Sequence, residues 1–125
     1  MLHNAAQTYQ SNQVTTANPG ELTLMLYNGA IKFIKQAKGA IGEKDIVKAH
    51  ESCLKVQNIL YELISTLNKS YPISREMEKM YDYMLQRMIE ANMRKDSSIL
   101  SEVEDYFVQF RDTWKEAMQL AKKQG

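Results

Sequence analysis

The 125-residue sequence is long enough for one domain with a buried core. Its 16 Lys and Arg residues against 15 Asp and Glu residues give a formal net charge of +1, and only four of the basic residues are Arg. This balance argues against nucleic-acid binding, which needs a strongly basic face with Arg on it. A single cysteine excludes an internal disulfide and is consistent with a reducing compartment, the cytoplasm.

Residues 1–17 are predicted to form a flexible N-terminal extension ahead of one folded domain at residues 18–125. The first 20 residues contain no Asp, Glu, Lys or Arg, and they lack both the basic start and the apolar run of a signal peptide. Tyr9 and Val14 are apolar anchors in this polar segment. The extension is therefore either an idle terminus or a removable cover whose two anchors lie on the first helix.

A strong start signal precedes the first helix, which is predicted at about residues 19–41. Asn18 can cap the free amides of the first turn, Pro19 occupies the first helical position, and Glu21 completes a capping box. Gly42 is the expected stop signal at the other end.

Two apolar rows run along this helix, whereas a bundle helix usually needs an apolar face only a little wider than ~100°. Either the helix sits deep in its own bundle, or the second row receives a partner. The first row is Leu22, Leu26, Phe33, Ala37 and Ala40, and the second row is Leu24, Tyr27, Ile31 and Ile34.

Three further helices are predicted at about residues 44–68, 74–93 and 97–122. Pro72 separates the second from the third, Ser74 is a plausible cap of the third, and Asp96 or Ser97 caps the fourth. The methionines of the third helix either fill core gaps or form an adaptable binding surface. The inward rows are Ile46, Ala49, Cys53, Val56, Leu60, Leu63 and Leu67; then Met77, Met80, Met84, Met88 and Ala91; then Ile99, Val103, Tyr106, Phe110, Trp114, Ala117 and Ala121.

The predicted fold is an all-α, antiparallel up-down four-helix bundle with a flexible N-terminal extension. Short turns between helices of about 20 residues require consecutive helices to run antiparallel. The longest charge-free apolar stretch, residues 22–31, is far shorter than the ~20 residues that span a bilayer. We therefore expect no stable membrane insertion.

The sequence offers no convincing catalytic or metal-binding constellation. A metal centre in a helical bundle needs inward carboxylates and histidines, and His50 has no ligand partner on the inward row. Cys53 has apolar inward neighbours, which raise the pKa of a thiol. Glu102, Glu104 and Asp105 lie early in the fourth helix, where they meet its positive dipole end. We expect a binding module with no catalytic residue, no metal and no cofactor.

The chain resembles the FliS family, the flagellin-specific secretion chaperones of bacteria, over about residues 7–118. The resemblance rests first on the uncharged start at residues 9–14 and on residues 17–31, with the sequence Ala-Asn-Pro-Gly-Glu-Leu-Thr-Leu-Met-Leu-Tyr-Asn-Gly-Ala-Ile. Residues 81–84 (Tyr-Asp-Tyr-Met), Arg87, residues 91–92 and residues 111–114 (Arg-Asp-Thr-Trp) add support by their order and spacing.

The resemblance implies a cytoplasmic export chaperone for flagellin. Such a protein binds the disordered C-terminal segment of flagellin one-to-one, prevents premature polymerisation and delivers it to the flagellar type III export apparatus. The implied partners are flagellin, a component of the export gate and other flagellar regulators. The alternative is a helical-bundle homodimer or adaptor without a client, in which the second apolar row of the first helix pairs with its own copy.

On this resemblance, apolar side chains of three segments are predicted to bind the partner. They comprise the two anchors of the extension, residues of the first helix and residues of the third helix. The set is Tyr9, Val14, Leu22, Leu24, Met25, Tyr27, Ile31, Ile34, Tyr81, Met84 and Met88.

Overall fold

A computed structural model describes residues 18–124 of the chain, and it contains four helices in this range. The all-α prediction is confirmed, because the described residues contain helices and turns and no strand. Within the same range, no helix is both long and apolar enough to cross a membrane. The helices are α1 (Pro19–Gly42), α2 (Ile46–Ser65), α3 (Ser74–Arg94) and α4 (Ser97–Gln124).

The start of α1 has the expected cap. The Asn18 side-chain oxygen accepts a hydrogen bond from the backbone N–H of Glu21 at 2.8 Å. The Asn18 side-chain amide donates in return to the Glu21 carboxylate at 3.3 Å, so the glutamate closes the box on the side chain of Asn18. The first of these bonds satisfies a free backbone N–H of the first turn, and the second joins the two side chains.

The other helix ends differ in part from the predictions. Lys44 adopts the left-handed conformation after α1 (φ 61°), whereas no described glycine has a positive φ, so Gly42 does not provide the turn. Ser74 is the first residue of α3 and is buried, and the cap position is held by Ile73, whose side chain makes no capping hydrogen bond. Asp96 caps α4 by accepting from the backbone of Ser98 at 2.9 Å.

Contacts between neighbouring helices fix the bundle as antiparallel. The start of α1 lies against the end of α4, because Trp114 Nε1 donates to the Gly20 carbonyl at 2.8 Å. The end of α1 meets the start of α4 through the Lys38–Glu104 ion pair at 2.8 Å. Each helix packs against two others, α1 and α3 each against α2 and α4, so that α1 lies diagonally across from α3.

Both apolar rows of α1 are largely buried, because α1 has two packing neighbours and not one. The deep-bundle interpretation of this helix therefore accounts for most of its apolar surface. Two of the rows predicted to face inward contain exposed residues at one end. Ile46 is 53% exposed, and Ala117 and Ala121 are exposed on the last turns of α4. The larger fully buried side chains are Tyr27, Ile34, Val56, Leu60, Tyr81, Met84, Met88, Leu100, Val103 and Phe107.

Gly39 lies inside α1, and a methyl group added there would meet no atom within 4 Å. We expect Gly39→Ala to raise the free energy of unfolding by about 0.5–1 kcal/mol, because glycine is the costlier residue in a helix interior. Urea denaturation measures this. Gly42→Ala is the control at an equally open position, and it should gain less because the last helical residue frays. A loss of stability in Gly39→Ala would contradict the open environment.

Candidate partner-binding site

A cavity of about 520 Å³ opens at the end of the bundle where α1 and α3 begin and α2 ends, beside Trp114 in the C-terminal half of α4. We call it the end cavity. Its lining is mostly apolar, with hydroxyl and amide groups at intervals. The lining residues are Pro19, Thr23, Tyr27, Leu63, Thr66, Leu67, Asn68, Tyr71, Ile73, Ser74, Met77, Tyr81 and Trp114.

Local sequence explains how each element reaches the cavity. Pro19, Thr23 and Tyr27 are spaced by four residues and therefore share one face of α1. Between α2 and α3 the chain turns at Asn68, whose side-chain oxygen accepts from the backbone N–H of Ser70 at 3.0 Å. This turn places the residues around Pro72 over the end of the bundle.

Two tyrosines from diagonal helices meet in the lining of the cavity. The hydroxyls of Tyr27 on α1 and Tyr81 on α3 form a hydrogen bond of 2.5 Å, in which either can be the donor. Both side chains are essentially inaccessible, at 0% and 1% exposed. One hydrogen bond between two hydroxyls uses one of their two O–H donors.

Aromatic rings of α4 surround this tyrosine pair. Phe110 stacks on Tyr27 with centroids 5.9 Å apart and also contacts the ring of Tyr81 at 5.7 Å. Trp114 meets Tyr27 edge-on at 6.5 Å, and Phe107 lies on the inner side of Tyr27 at 6.3 Å. Such tilted and offset pairs add about 0.5–1.5 kcal/mol each beyond the burial of apolar area. The inner wall of the cavity is therefore well packed.

Burial raises the pKa of both tyrosine hydroxyls above the ordinary value, because a phenolate loses its hydration there. The pair is accordingly neutral at physiological pH. A neutral pair keeps the inner wall of the cavity uncharged and compatible with an apolar occupant.

The rim of the end cavity carries accessible apolar surface. Tyr71 is 62% exposed and Ile73 is 64% exposed, although both are large apolar residues. Leu67, Met77 and Trp114 are half-buried beside them. Exposed apolar groups gathered around a cavity are typical of a surface that receives a partner.

The structure divides the eleven residues predicted to bind a partner into four groups. Tyr9 and Val14 lie outside the described residues. Leu22, Leu24 and Met25 are half-buried on the first turns of α1. Tyr27 and Tyr81 line the end cavity with their hydroxyl pair. The remaining four, all buried, are Ile31, Ile34, Met84 and Met88.

The four buried members have a packing role in the structure, and their contact with a partner stays a prediction. Ile34, Met84 and Met88 have no accessible surface, so in this conformation they pack the core and present nothing to a partner. Ile31 is 6% exposed and lies in a shallow groove between α1 and α4. The methionine row of α3 thus fills the core in its central part, the first of the two interpretations made from the sequence.

The sequence reading missed most of the rim: Leu67, Tyr71, Ile73, Met77 and Trp114 were assigned to a turn or to inward rows. A signal was present in the turn, because Tyr71 and Ile73 flank Pro72 in an otherwise polar segment that needs no large apolar residues. The joint position of Trp114 and this turn depends on the packing of α4 against α1, which local pattern does not reveal.

Of the groups considered for chemistry, His50 and Glu102 have hydrogen-bond partners and Cys53 is buried. His50 is exposed, and its Nδ1 lies 3.0 Å from the side-chain amide nitrogen of Asn92. Burial raises the pKa of the Cys53 thiol. Glu102 accepts hydrogen bonds from Tyr83 at 2.6 Å and Arg87 at 2.8 Å, which hold its pKa below the usual value. In the described part of the chain, no three His, Cys, Asp or Glu residues are grouped for a metal.

Comparison with known proteins decides the family. The sequence model of the family described as "Flagellar protein FliS" matches residues 2–121. The chain belongs to the FliS family. The resemblance noted from the sequence motifs is thus confirmed. The matched region contains Tyr27 and Tyr81, the two tyrosines that meet in the end cavity.

Named relatives of the FliS family match nearly the whole chain. The "Flagellar secretion chaperone FliS" of Bacillus subtilis strain 168 is 48% identical over 122 residues, which cover 98% of this chain and 92% of that protein. The protein of the same name from Salmonella typhimurium is 29% identical, covering 89% of this chain and 84% of its own. "Flagellar secretion chaperone FliSB" of Pseudomonas aeruginosa is also 29% identical and covers 82% of each.

A double-mutant cycle tests whether the tyrosine hydroxyls are coupled. Tyr27→Phe or Tyr81→Phe alone should lower the free energy of unfolding by about 1–3 kcal/mol, because the remaining hydroxyl is left buried without a partner. Tyr27→Phe/Tyr81→Phe should cost about as much as one single change, since it removes both polar groups. Urea denaturation of the four proteins measures the coupling, and strict additivity of the two losses would contradict a shared hydrogen bond.

Alkaline pH tests the raised pKa of the pair. In the unfolded chain a tyrosine loses its proton at about pH 10, whereas burial keeps Tyr27 and Tyr81 protonated in the folded protein above that pH. Their contribution to stability is therefore complete below about pH 10 and is lost as pH rises, by up to about 2.7 kcal/mol per pH unit for two protons.

The Tyr27→Phe/Tyr81→Phe protein is the control, because all other titrating groups are common to both proteins. Denaturant unfolding between about pH 9 and pH 11 should show that the free energy of unfolding falls more steeply with pH in the wild type than in this variant. Parallel curves for the two proteins would mean that the hydroxyls ionise as freely in the folded state as in the unfolded state.

Proposed function

We propose that this FliS-family protein is a cytoplasmic export chaperone that binds the disordered C-terminal segment of flagellin. It keeps the segment from polymerising prematurely and delivers it to the flagellar type III export apparatus, where a gate component and other flagellar regulators are its further partners. The end cavity with its exposed apolar rim is the observation that supports this proposal most directly. The names of the relatives support the chaperone role.

In this proposal the mechanism is folding of the client on the chaperone. A disordered apolar segment orders on the bundle and buries the surface that it would use for assembly, so protection is a competition for that surface. Ordering the segment costs about 2–5 kcal/mol or more of the gross interaction energy. The apolar contact must therefore extend beyond one cavity, and several accessible apolar residues are needed.

The client-binding residues that we propose are the accessible ones. Tyr71 and Ile73 contribute the rim of the end cavity, and Trp114 its side. Leu22, Leu24 and Met25 extend the surface along the first turns of α1, where they are half-buried. The hydroxyl pair of Tyr27 and Tyr81 is buried behind the inner wall of the cavity, where it supports this surface.

The N-terminal extension completes the proposal as a cover. It joins the bundle at Asn18, directly before Pro19 in the cavity lining, so its attachment point is at the proposed site. Tyr9 and Val14 supply apolar groups that can occupy the rim until a client displaces them. Removal of residues 1–17 should then strengthen client binding, because the competitor is absent.

Titration with a peptide of about 40 residues from the C terminus of a flagellin tests the function, since segments that fold on binding bury long surfaces. Trp114 is the single tryptophan of the chain and lines the end cavity, so its emission reports occupancy. We expect one-to-one saturation in calorimetry, a negative heat-capacity change, a gain of helicity and a shift of the Trp114 emission.

Two matched variants locate the binding surface. Ile73→Asp should weaken peptide binding by about tenfold or more, because burial of an isoleucine contributes about 1.5–3 kcal/mol. Val47→Asp is the control: Val47 is 69% exposed, lies in the first turn of α2 and is at the opposite end of the bundle. It should bind the peptide like the wild type. Both variants should have a free energy of unfolding close to that of the wild type, because an aspartate is favourable at a helix start.

Other outcomes would contradict parts of the proposal. Equal weakening by the two variants would place the client elsewhere than the end cavity. Absence of any binding by the folded protein, with and without residues 1–17, would contradict the client-chaperone function. Light scattering of the client-free protein then tests the homodimer, which requires a stable particle of twice the mass.

A further inference from the structure

A second concave surface lies along the side of the bundle, in the groove between α1 and α4. It has a volume of about 530 Å³ and is shallow. We call it the α1/α4 groove. Its lining is Asn28, Ile31, Lys32, Lys35, Gln36 and Arg111.

The α1/α4 groove carries three cations and no carboxylate in its lining. Lys32 and Lys35 are exposed, and within residues 18–124 neither forms an ion pair. Arg111 reaches sideways to the adjacent Asp112 at 3.0 Å. Like charges gathered in one groove repel each other, so this arrangement favours an anionic occupant.

Elsewhere the bundle pairs opposite charges across neighbouring helices. One turn beyond Lys35, Lys38 of α1 meets Glu104 of α4 at 2.8 Å. Arg87 of α3 meets Glu102 of α4 at the same distance. On α4, the residue that lines the groove with Lys32 and Lys35 is Arg111, where the other contacts have an acidic residue. Charges of both signs are interspersed along the sequence, but in the folded bundle the basic side chains of this groove lie together. The groove is therefore locally basic although the net charge of the chain is only +1.

We propose that the α1/α4 groove binds an acidic peptide segment of a partner protein. Lys32, Lys35 and Arg111 would pair with its carboxylates, and the amides of Asn28 and Gln36 offer neutral donors at the two ends of the groove. The low net charge and the shortness of the groove disfavour nucleic acid, which requires a longer basic track. This proposal is independent of the end cavity.

The groove's length sets the size of a suitable probe. Asn28 and Gln36 are separated by about 12 Å along the axis of α1. An extended peptide of about eight residues spans about twice that length and therefore covers the groove fully. The probe is a fluorescent peptide of this size composed of glutamates with one central leucine for the side of Ile31. The same peptide with glutamine in place of glutamate is the neutral reference.

Fluorescence anisotropy at about 0.15 M salt, where charges more than about 8 Å apart are largely screened, should detect binding of the acidic probe to the full chain. Lys32→Glu/Lys35→Glu should weaken this binding by about tenfold or more, because two attractive contacts become repulsive. Lys32→Gln/Lys35→Gln should give an intermediate loss. Lys79→Glu/Lys122→Glu makes the same change in net charge at exposed positions outside the groove and should retain binding within about twofold once salt has screened the distant charges.

The possible results separate the alternatives. Equal weakening by the two double charge reversals would mean attraction to net charge and would overturn the groove assignment. Equal binding of the neutral peptide, or none of the acidic peptide, would overturn the requirement for acid. Tighter binding of single-stranded DNA or of vesicles with anionic lipid would replace the acidic peptide as occupant. Flagellin-peptide binding that persists in Lys32→Glu/Lys35→Glu would show that this groove and the end cavity act separately.

Discussion

The hydrogen-bonded pair of Tyr27 and Tyr81 is the constraint on which the open end of the bundle depends. It joins α1 and α3, the diagonal helices, which have no pair of Cα atoms within 8 Å of each other. Two phenol rings are long enough to fill this separation, and their hydroxyls meet at 2.5 Å near the bundle axis. A leucine pair would leave space there, because neither side chain reaches as far. The diagonal spacing at this end is therefore set by the two rings.

The end cavity follows from this arrangement. On the inner side of the tyrosines, Phe107 and the buried rows of the other helices close the core. On the outer side, α2 has ended at Ser65 and α3 has only begun at Ser74, so the next layer is made by a turn instead of a helix. Trp114 covers one side by its hydrogen bond to the Gly20 carbonyl. The packed core thus ends in a ring of half-buried apolar groups around an unfilled space.

The number and order of the helices could be predicted from local signals. Asn18, Pro19 and Pro72 mark helix boundaries through backbone chemistry that acts over a few residues. The up-down order follows from short connections, which leave consecutive helices no other arrangement. The first helix ends at Gly42 as expected, but the residue that makes the turn was less predictable, because Lys44 and not a glycine adopts the left-handed conformation there.

The candidate site was only partly predictable, since burial depends on how many neighbours a helix has. Tyr27 and Ile34 belong to a row that has no evident use if α1 packs against one helix, and they become core residues once α1 packs against two. Periodicity reports which face a residue lies on, and it does not report the number of helices that cover that face. The sequence stretches on which the family resemblance rests therefore include residues that hold the fold, whereas accessible apolar residues such as Ile73 lie in the turn.

The two surfaces of this bundle are geometrically linked through α1. Tyr27 lines the end cavity and Asn28 begins the α1/α4 groove, so adjacent residues of one rigid helix belong to both. Two segments of one partner, joined by a short linker, would reach both sites at a high effective concentration and bind more tightly than either alone. Two separate partners would instead interfere with each other only by steric overlap where both approach this part of α1. In either case the distance between the two surfaces is fixed by the rigid helix α1. The cap at Asn18 helps to keep the start of that helix in place.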